Sequence, residues 1–339
     1  MPMDRAGAPV HPTRRQALGL GLATAATLSL SACGIRFGDG TPGPRPAPRK
    51  AVPGESFMVA LWRHTEDLAS RAAGGAGSGL PARLAALHRQ QATVLRAELL
   101  RLGVPDSELG RPGAATGTAT AAAASAPGTG PAPTGSATNG SPTSGGRTTA
   151  AELAAAEASD LGPTAISSLS RVMAGSAPLV GSLLAQRSAA ATLLGRPATW
   201  PDEAWKGQSL AATFLATTRA AVYGFEVVAA QSPSGAQHAL ATSTLSALQA
   251  RAAAQESMAG SSAGPPDLAH PLPFPVTTPD AARKLAVDVL TRLRAAGARD
   301  LGTAGTDTAA LGLLVRWLGE TEVLASRWGV PLAPFPGLS

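Results

Sequence analysis

Cysteine occurs once in this 339-residue chain, tyrosine once, and aromatic residues make up only 4% of it. A single cysteine excludes an intramolecular disulfide, so packing alone has to hold the fold, in an oxidising compartment as elsewhere. It also excludes a Cys/His metal cluster. There is no Gly-rich strand-to-helix loop of the kind that cradles phosphates, and the chemistry built on that motif loses its footing. Runs alternating with period two are missing, which removes β-strands from the expectation. Only 15% of residues are charged, with a formal net charge of +6. The basic residues are scattered arginines without interleaved aromatics, so a nucleic-acid partner is not expected.

The one cysteine has a particular place. The stretch TRRQALGLGLATAATLSLSACG, Thr13 to Gly34, pairs Arg14 and Arg15 with an apolar run from Ala17 to Leu30. At about 1.5 Å per residue that run is too short to cross a ~30 Å hydrocarbon core, and it reads as an export signal. Leu30-Ser31-Ala32 before Cys33 resembles the lipobox of bacterial lipoproteins, in which the cysteine becomes the first mature residue and carries lipid on its sulfur. The residues from Thr13 to Leu18 resemble a twin-arginine signal, except at Ala17, where a larger apolar residue is usual; the Sec route stays open. A buried free thiol is the competing role for Cys33, but Gly34 and the stretch TPGPRPAPRK do not belong in a core. Loss of Arg5, Arg14, Arg15 and Asp4 with the signal leaves about +4 on the exported chain, which suits an anionic membrane surface.

Two segments lack apolar periodicity. Residues 33–54 form a Gly/Pro/Arg-rich tether behind the lipidated cysteine, and residues 110–148 are almost wholly Ala, Gly, Ser, Thr and Pro. The latter cannot bury enough apolar surface to offset chain entropy and is expected to be a disordered loop, with an end-to-end distance of roughly 35 Å. Elsewhere the pattern is helical: from Glu55, from Pro81 to a stop at Gly103, on both sides of Pro163, through PLVGSLLAQRSAAATLLG, and in four further runs after Trp200, one starting at Pro279. The expected class is all-α.

The second set of helices carries a resemblance. AAVYGFEVVAAQ (Ala220 to Gln231), the loop HPLPFPVTTPDAARKLA (His270 to Ala286) and the closing helix ending in ASRWG resemble a ferritin-like domain of unknown function found in bacterial exported lipoproteins. The resemblance spans about 205–330 and implies an antiparallel four-helix bundle. The first half, chiefly through AALHRQQATVLRAELL, is similar to a divergent copy. The expected organisation is a signal peptide at 1–32, the lipidated tether at 33–54, a divergent bundle at 55–200 interrupted by the loop, and a ferritin-like bundle at 201–332.

Ferritin-like bundles often hold two metal ions on glutamates and Glu-x-x-His pairs. This chain has no Glu-x-x-His, and Thr218-Arg219 stand where the resemblance implies Glu-His, so no di-iron site is expected in the second bundle. In the first, one or more polar residues fall on the apolar face of each helix. His64 lies with Phe57, Leu61 and Leu68; Gln91 and Glu98 with Leu84, Leu87, Leu95 and Leu102; Glu157 between Leu153 and Leu161; Gln186 between Leu183 and Ala190. They form a candidate core polar cluster. Two glutamines and one histidine make a poor ligand set, so no metal or cofactor is expected, with iron or manganese in this bundle as the alternative. On the last helix Trp317 and Trp328, with Leu313 and Leu324, oppose Leu311, Val315 and Leu318, which places that helix between layers: either the bundles dock or this face meets a partner. The sequence favours a non-catalytic binding or scaffold component, anchored by lipid to the outer face of the cell membrane and free to meet an envelope protein partner; a metal-binding oxidase or metal store is the alternative.

Overall fold

Proline, threonine and aspartate set the helix starts. Thr149 closes a capping box with Glu152, Thr278 caps the helix that begins at Pro279 by accepting from Ala281 N, and Asp307 caps the last helix through Ala310 N. The computed structural model describes residues 49–75, 79–110, 148–200, 205 and 207–338. Arg14, Arg15, the Leu30-Ser31-Ala32-Cys33 tetrad, the tether as far as residue 48 and the loop expected at 110–148 (all but its end residues) lie outside the described residues.

Every regular element among the described residues is helical. In order these are α1 (Glu55–Gly74), α2 (Leu80–Arg101), α3 (Asp106–Leu109), α4 (Ala150–Ala158), α5 (Pro163–Leu169), α6 (Ala177–Leu193), α7 (Gln208–Gln231), α8 (Ala236–Ala259) with a 3-10 turn at Gly260–Ser262, α9 (Pro279–Thr303) and α10 (Thr308–Arg327). Helix α1 pairs with α2, and α4 packs on α6 and α1; in the second half α7 pairs with α8 and α9, and α9 with α10. Two sets of four helices result, with α5 leading from α4 to α6.

The sets share a core within one compact unit, Lys50–Ser339. Helix α6 packs most heavily on α10 and also meets α9, and one apolar cluster runs from Met58, Trp62 and Leu95 through Leu183 and Leu184 to Leu311, Val315 and Leu318. Of the two sequence expectations for the last helix, docking holds. Trp317 packs edge-on against Phe214 at 5.9 Å, and Trp328 against Phe225 at 5.8 Å, while Leu318 lies against Gly297 of α9 and Gly319 against Ala185 of α6. The approach is close. A Cβ on Gly319 would lie 2.9 Å from the Ala185 carbonyl oxygen, so only glycine lets the two backbones meet at that level.

After α10 the chain turns at Gly329 (φ 87°), with Val330 N donating to Ala325 O, and returns across both halves. Ala333 N donates to Glu322 Oε1 at 2.7 Å, Phe335 is buried in the shared core, and Pro336 O accepts from Ser182 Oγ at 2.7 Å. This segment, 329–338, straps α6 to the second set.

Candidate functional site

Four helices of the first half each send a polar side chain inward: His64 from α1, His88 and Gln91 from α2, Glu157 from α4, Gln186 and Arg187 from α6. All but His64 are buried without measurable exposure. Their hydrogen bonds fix one another. The carbonyl of Pro334 can only accept, so the Gln91 amide nitrogen faces it at 2.6 Å and also donates to Gln186 Oε1 at 2.9 Å. Gln91 Oε1 therefore faces His88, and His88 Nδ1 donates to it at 2.8 Å. The other ring nitrogen, Nε2, meets Glu157 Oε1 at 2.6 Å with one proton between them.

Arg187 adds a positive charge beside Glu157. Its Nε lies 3.9 Å from Glu157 Oε2 without a hydrogen bond between them, and its Nη2 closes the end of α4, with the Ser159 carbonyl at 2.7 Å and those of Ala156 and Glu157 at 3.2 Å and 3.3 Å around its two hydrogens. Those are carbonyls that a helix end leaves without partners, at the negative pole of the helix dipole. The turn that presents Ser159 includes Asp160 at φ 59°, a left-handed conformation that aspartate tolerates better than most side chains. Burial pushes the Arg187 pKa down, and the Glu157 and Asp160 carboxylates oppose that shift.

Arg187 Nη2 also lies 2.9 Å from His64 Nε2. The same ring nitrogen lies 3.3 Å from the Ala156 carbonyl; the guanidinium can only donate and the carbonyl only accept, so the two contacts call for opposite tautomers, while Nδ1 faces Asp160 Oδ2 at 3.7 Å. Burial first, and then the Arg187 charge, hold the His64 pKa below its ordinary value, which keeps the ring neutral. Next to His64 and Arg187 a cavity of about 500 Å³ is lined by Phe57, Leu61, Asp160 and Leu161. It offers an apolar body with a polar end.

Of the residues expected from sequence, the structure brings together His64, Gln91, Glu157 and Gln186. Glu98 is a correction. Although it shares a helical face with Gln91, it sits seven residues along α2, about 10 Å down the axis, where it is bound by Arg101 at 2.6 Å and by the Ser176 hydroxyl. Those partners hold its carboxyl below the usual range, the Arg101 hydrogen bond most of all. Two residues at the centre were not anticipated. His88 had a signal, because it stands four residues after Leu84 and three before Gln91 on the buried stripe. Arg187 had another, as the only charged residue in α6.

Among the described residues, no group of three or more His, Cys, Asp and Glu is arranged to hold a metal ion. The donor set of the first half does not fit a two-metal centre, because its carboxylate is opposed by an imidazole and a guanidinium. In the second half Thr218 is buried, and Arg219 binds Glu256 at 2.9 Å and the carbonyls of Ala263 and Gly264. Arg251 donates to Thr321 Oγ1 at 2.8 Å and to Glu320 at 3.2 Å, and Arg294 donates to Glu322 at 3.0 Å. Tyr223 packs edge-on against His270, on the loop that carries the resemblance.

No curated protein and no solved structure matches the chain. Residues 210–339, from α7 through the C-terminal strap, match the family described as a domain of unknown function, DUF4439.

Proposed function

We propose that this is an exported cell-envelope protein, held to the outer face of the membrane by lipid on Cys33, in which both halves are ferritin-like bundles and the first serves to bind a ligand or partner, not to oxidise or store metal. The address is supported by Arg14-Arg15, the short apolar run and Leu30-Ser31-Ala32-Cys33. No helix among the described residues is long and apolar enough to cross a membrane.

One observation carries the binding reading. The interior of the first bundle, where a ferritin-like protein would gather carboxylates around metal ions, contains Arg187, and a second cation there would meet its charge at short range in a poorly solvated site. The cavity beside it, with His64 and Asp160 at the polar end, is the natural place for a small ligand. The test is detergent extraction of the membrane fraction followed by elemental analysis. The wild type should partition with detergent, Cys33→Ala should leave the membrane fraction or stay unprocessed, and the extracted protein should hold no stoichiometric iron, manganese or zinc. Membrane association unchanged in Cys33→Ala would defeat the lipid anchor, and one or two equivalents of metal lost in Glu157→Gln would defeat the binding reading.

A further inference from the structure

The cavity beside His64 has a polar end at which two open groups face each other. His64 and Asp160 both line it, with side chains 22% and 70% exposed, and His64 Nδ1 lies 3.7 Å from Asp160 Oδ2. That separation is too long for a hydrogen bond between them, yet one polar atom set between the two reaches both at ordinary hydrogen-bond length. Arg187 offers a ligand no open donor: it is without exposure, its Nη2 is directed at the end of α4, and its Nε and Nη1 are enclosed. Asp160 is held at the cavity by its left-handed turn (φ 59°), a conformation that a residue other than glycine keeps at a cost.

The proton on His64 decides what the bridging atom can be. Of the two contacts at Nε2, the one with Arg187 is the shorter, 2.9 Å against 3.3 Å, and the Ala156 carbonyl has Arg187 Nη2 as another donor at 3.2 Å. Nε2 is then the acceptor, and the neutral ring carries its proton on Nδ1. The polar end thus presents one donor, Nδ1–H, and one acceptor, Oδ2. An ammonium only donates and would face the Nδ1 proton; a carboxylate only accepts and would face Asp160. A hydroxyl does both. Phe57, Leu61 and Leu161 line the apolar remainder. On the ligand-binding reading of this cavity, on which the inference rests, we propose that it takes an uncharged alcohol with an apolar body, the hydroxyl accepting from His64 Nδ1 and donating to Asp160 Oδ2. The body is either an aromatic ring system or an aliphatic chain.

Calorimetric titration of the full chain at neutral pH tests this, with wild type and variant in the same detergent so that partition of each probe into micelles cancels. 2-Naphthol or 1-octanol should bind, one molecule per chain, and 2-naphthylmethylammonium and 2-naphthoate should each bind about tenfold or more weakly than 2-naphthol. Tighter binding of naphthol assigns an aromatic body, and tighter binding of octanol an aliphatic chain. Asp160→Gly, which the left-handed turn accommodates, should weaken 2-naphthol roughly tenfold. The same variant should leave 2-methoxynaphthalene unchanged, because the ether can accept from His64 but has no proton for Asp160. Naphthol affinity unchanged in Asp160→Gly, or tighter binding of the ammonium or the carboxylate, overturns the proposal and leaves the cavity standing as a ligand site. Absence of binding by every probe overturns both.

Discussion

The two halves each surround buried polar groups with four helices, but they balance charge differently. In the first, Glu157, His88 and Arg187 are all without exposure, and their partners are one another, the carbonyl end of α4 and the strap at Pro334. In the second, Arg251 reaches from the interior to Glu320, which is 44% exposed and shared with Arg316, while Arg294 and Glu322 pair under the strap. Each interior holds a buried acid and a buried arginine, and only in the second does a further buried arginine, Arg251, reach an acid at the rim. The difference suggests that the first interior is a fixed element of structure, whereas the second shares part of its charge with the surface.

Removing the buried cation from each half should sharpen this contrast most. Arg187→Met leaves Glu157 with His88 as its remaining partner and uncaps α4, and should cost about 3–5 kcal/mol by chemical denaturation. Arg251→Met forfeits one good hydrogen bond and an ion pair with a half-exposed acid, and should cost about 1 kcal/mol. Equal losses would break the comparison. Next in size is the seam between the halves: Gly319→Val drives side-chain atoms into the Ala185 carbonyl and should destabilise by about 1–3 kcal/mol, with both halves unfolding in one transition.

The helix starts and the class of fold were legible because Thr, Asp, Pro and Gly stand where a chain must begin or leave a helix; Pro279 and Gly103 mark such points. The two-sided stripe of α10 likewise announced burial between layers. Helix α6 was less legible, because a helix enclosed on all sides has no polar face and periodicity cannot orient Arg187 on it. Glu98 misled for the opposite reason: it shares a face with Gln91, but face says nothing about height along a bundle, and α4 ends too soon to meet it.

Titration should give the halves opposite slopes. His64 has a depressed pKa, so its contribution to stability is present above pH ~6.5 and is lost as pH falls through the folded-state value. Asp300 on α9 is raised to about 6 by desolvation, so its contribution is present below the ordinary carboxylate range and is lost as pH rises through about 6. In thermal melts His64→Gln should flatten the acid side of the profile, and Asp300→Asn should gain on the wild type between pH ~4 and ~6. Matching slopes would contradict the assignments. The smallest effect belongs to Glu98→Gln, at most about 1 kcal/mol, since its arginine partner is largely exposed.

The central claim, that Glu157 and Arg187 form a closed pair that structures the first bundle, is tested most directly by a double-mutant cycle with Glu157→Gln and Arg187→Met, read by denaturant unfolding. The predicted coupling is about 2 kcal/mol or more, against less than about 1 kcal/mol for the same cycle on Glu320 and Arg251. A coupling near zero between Glu157 and Arg187 would contradict the account.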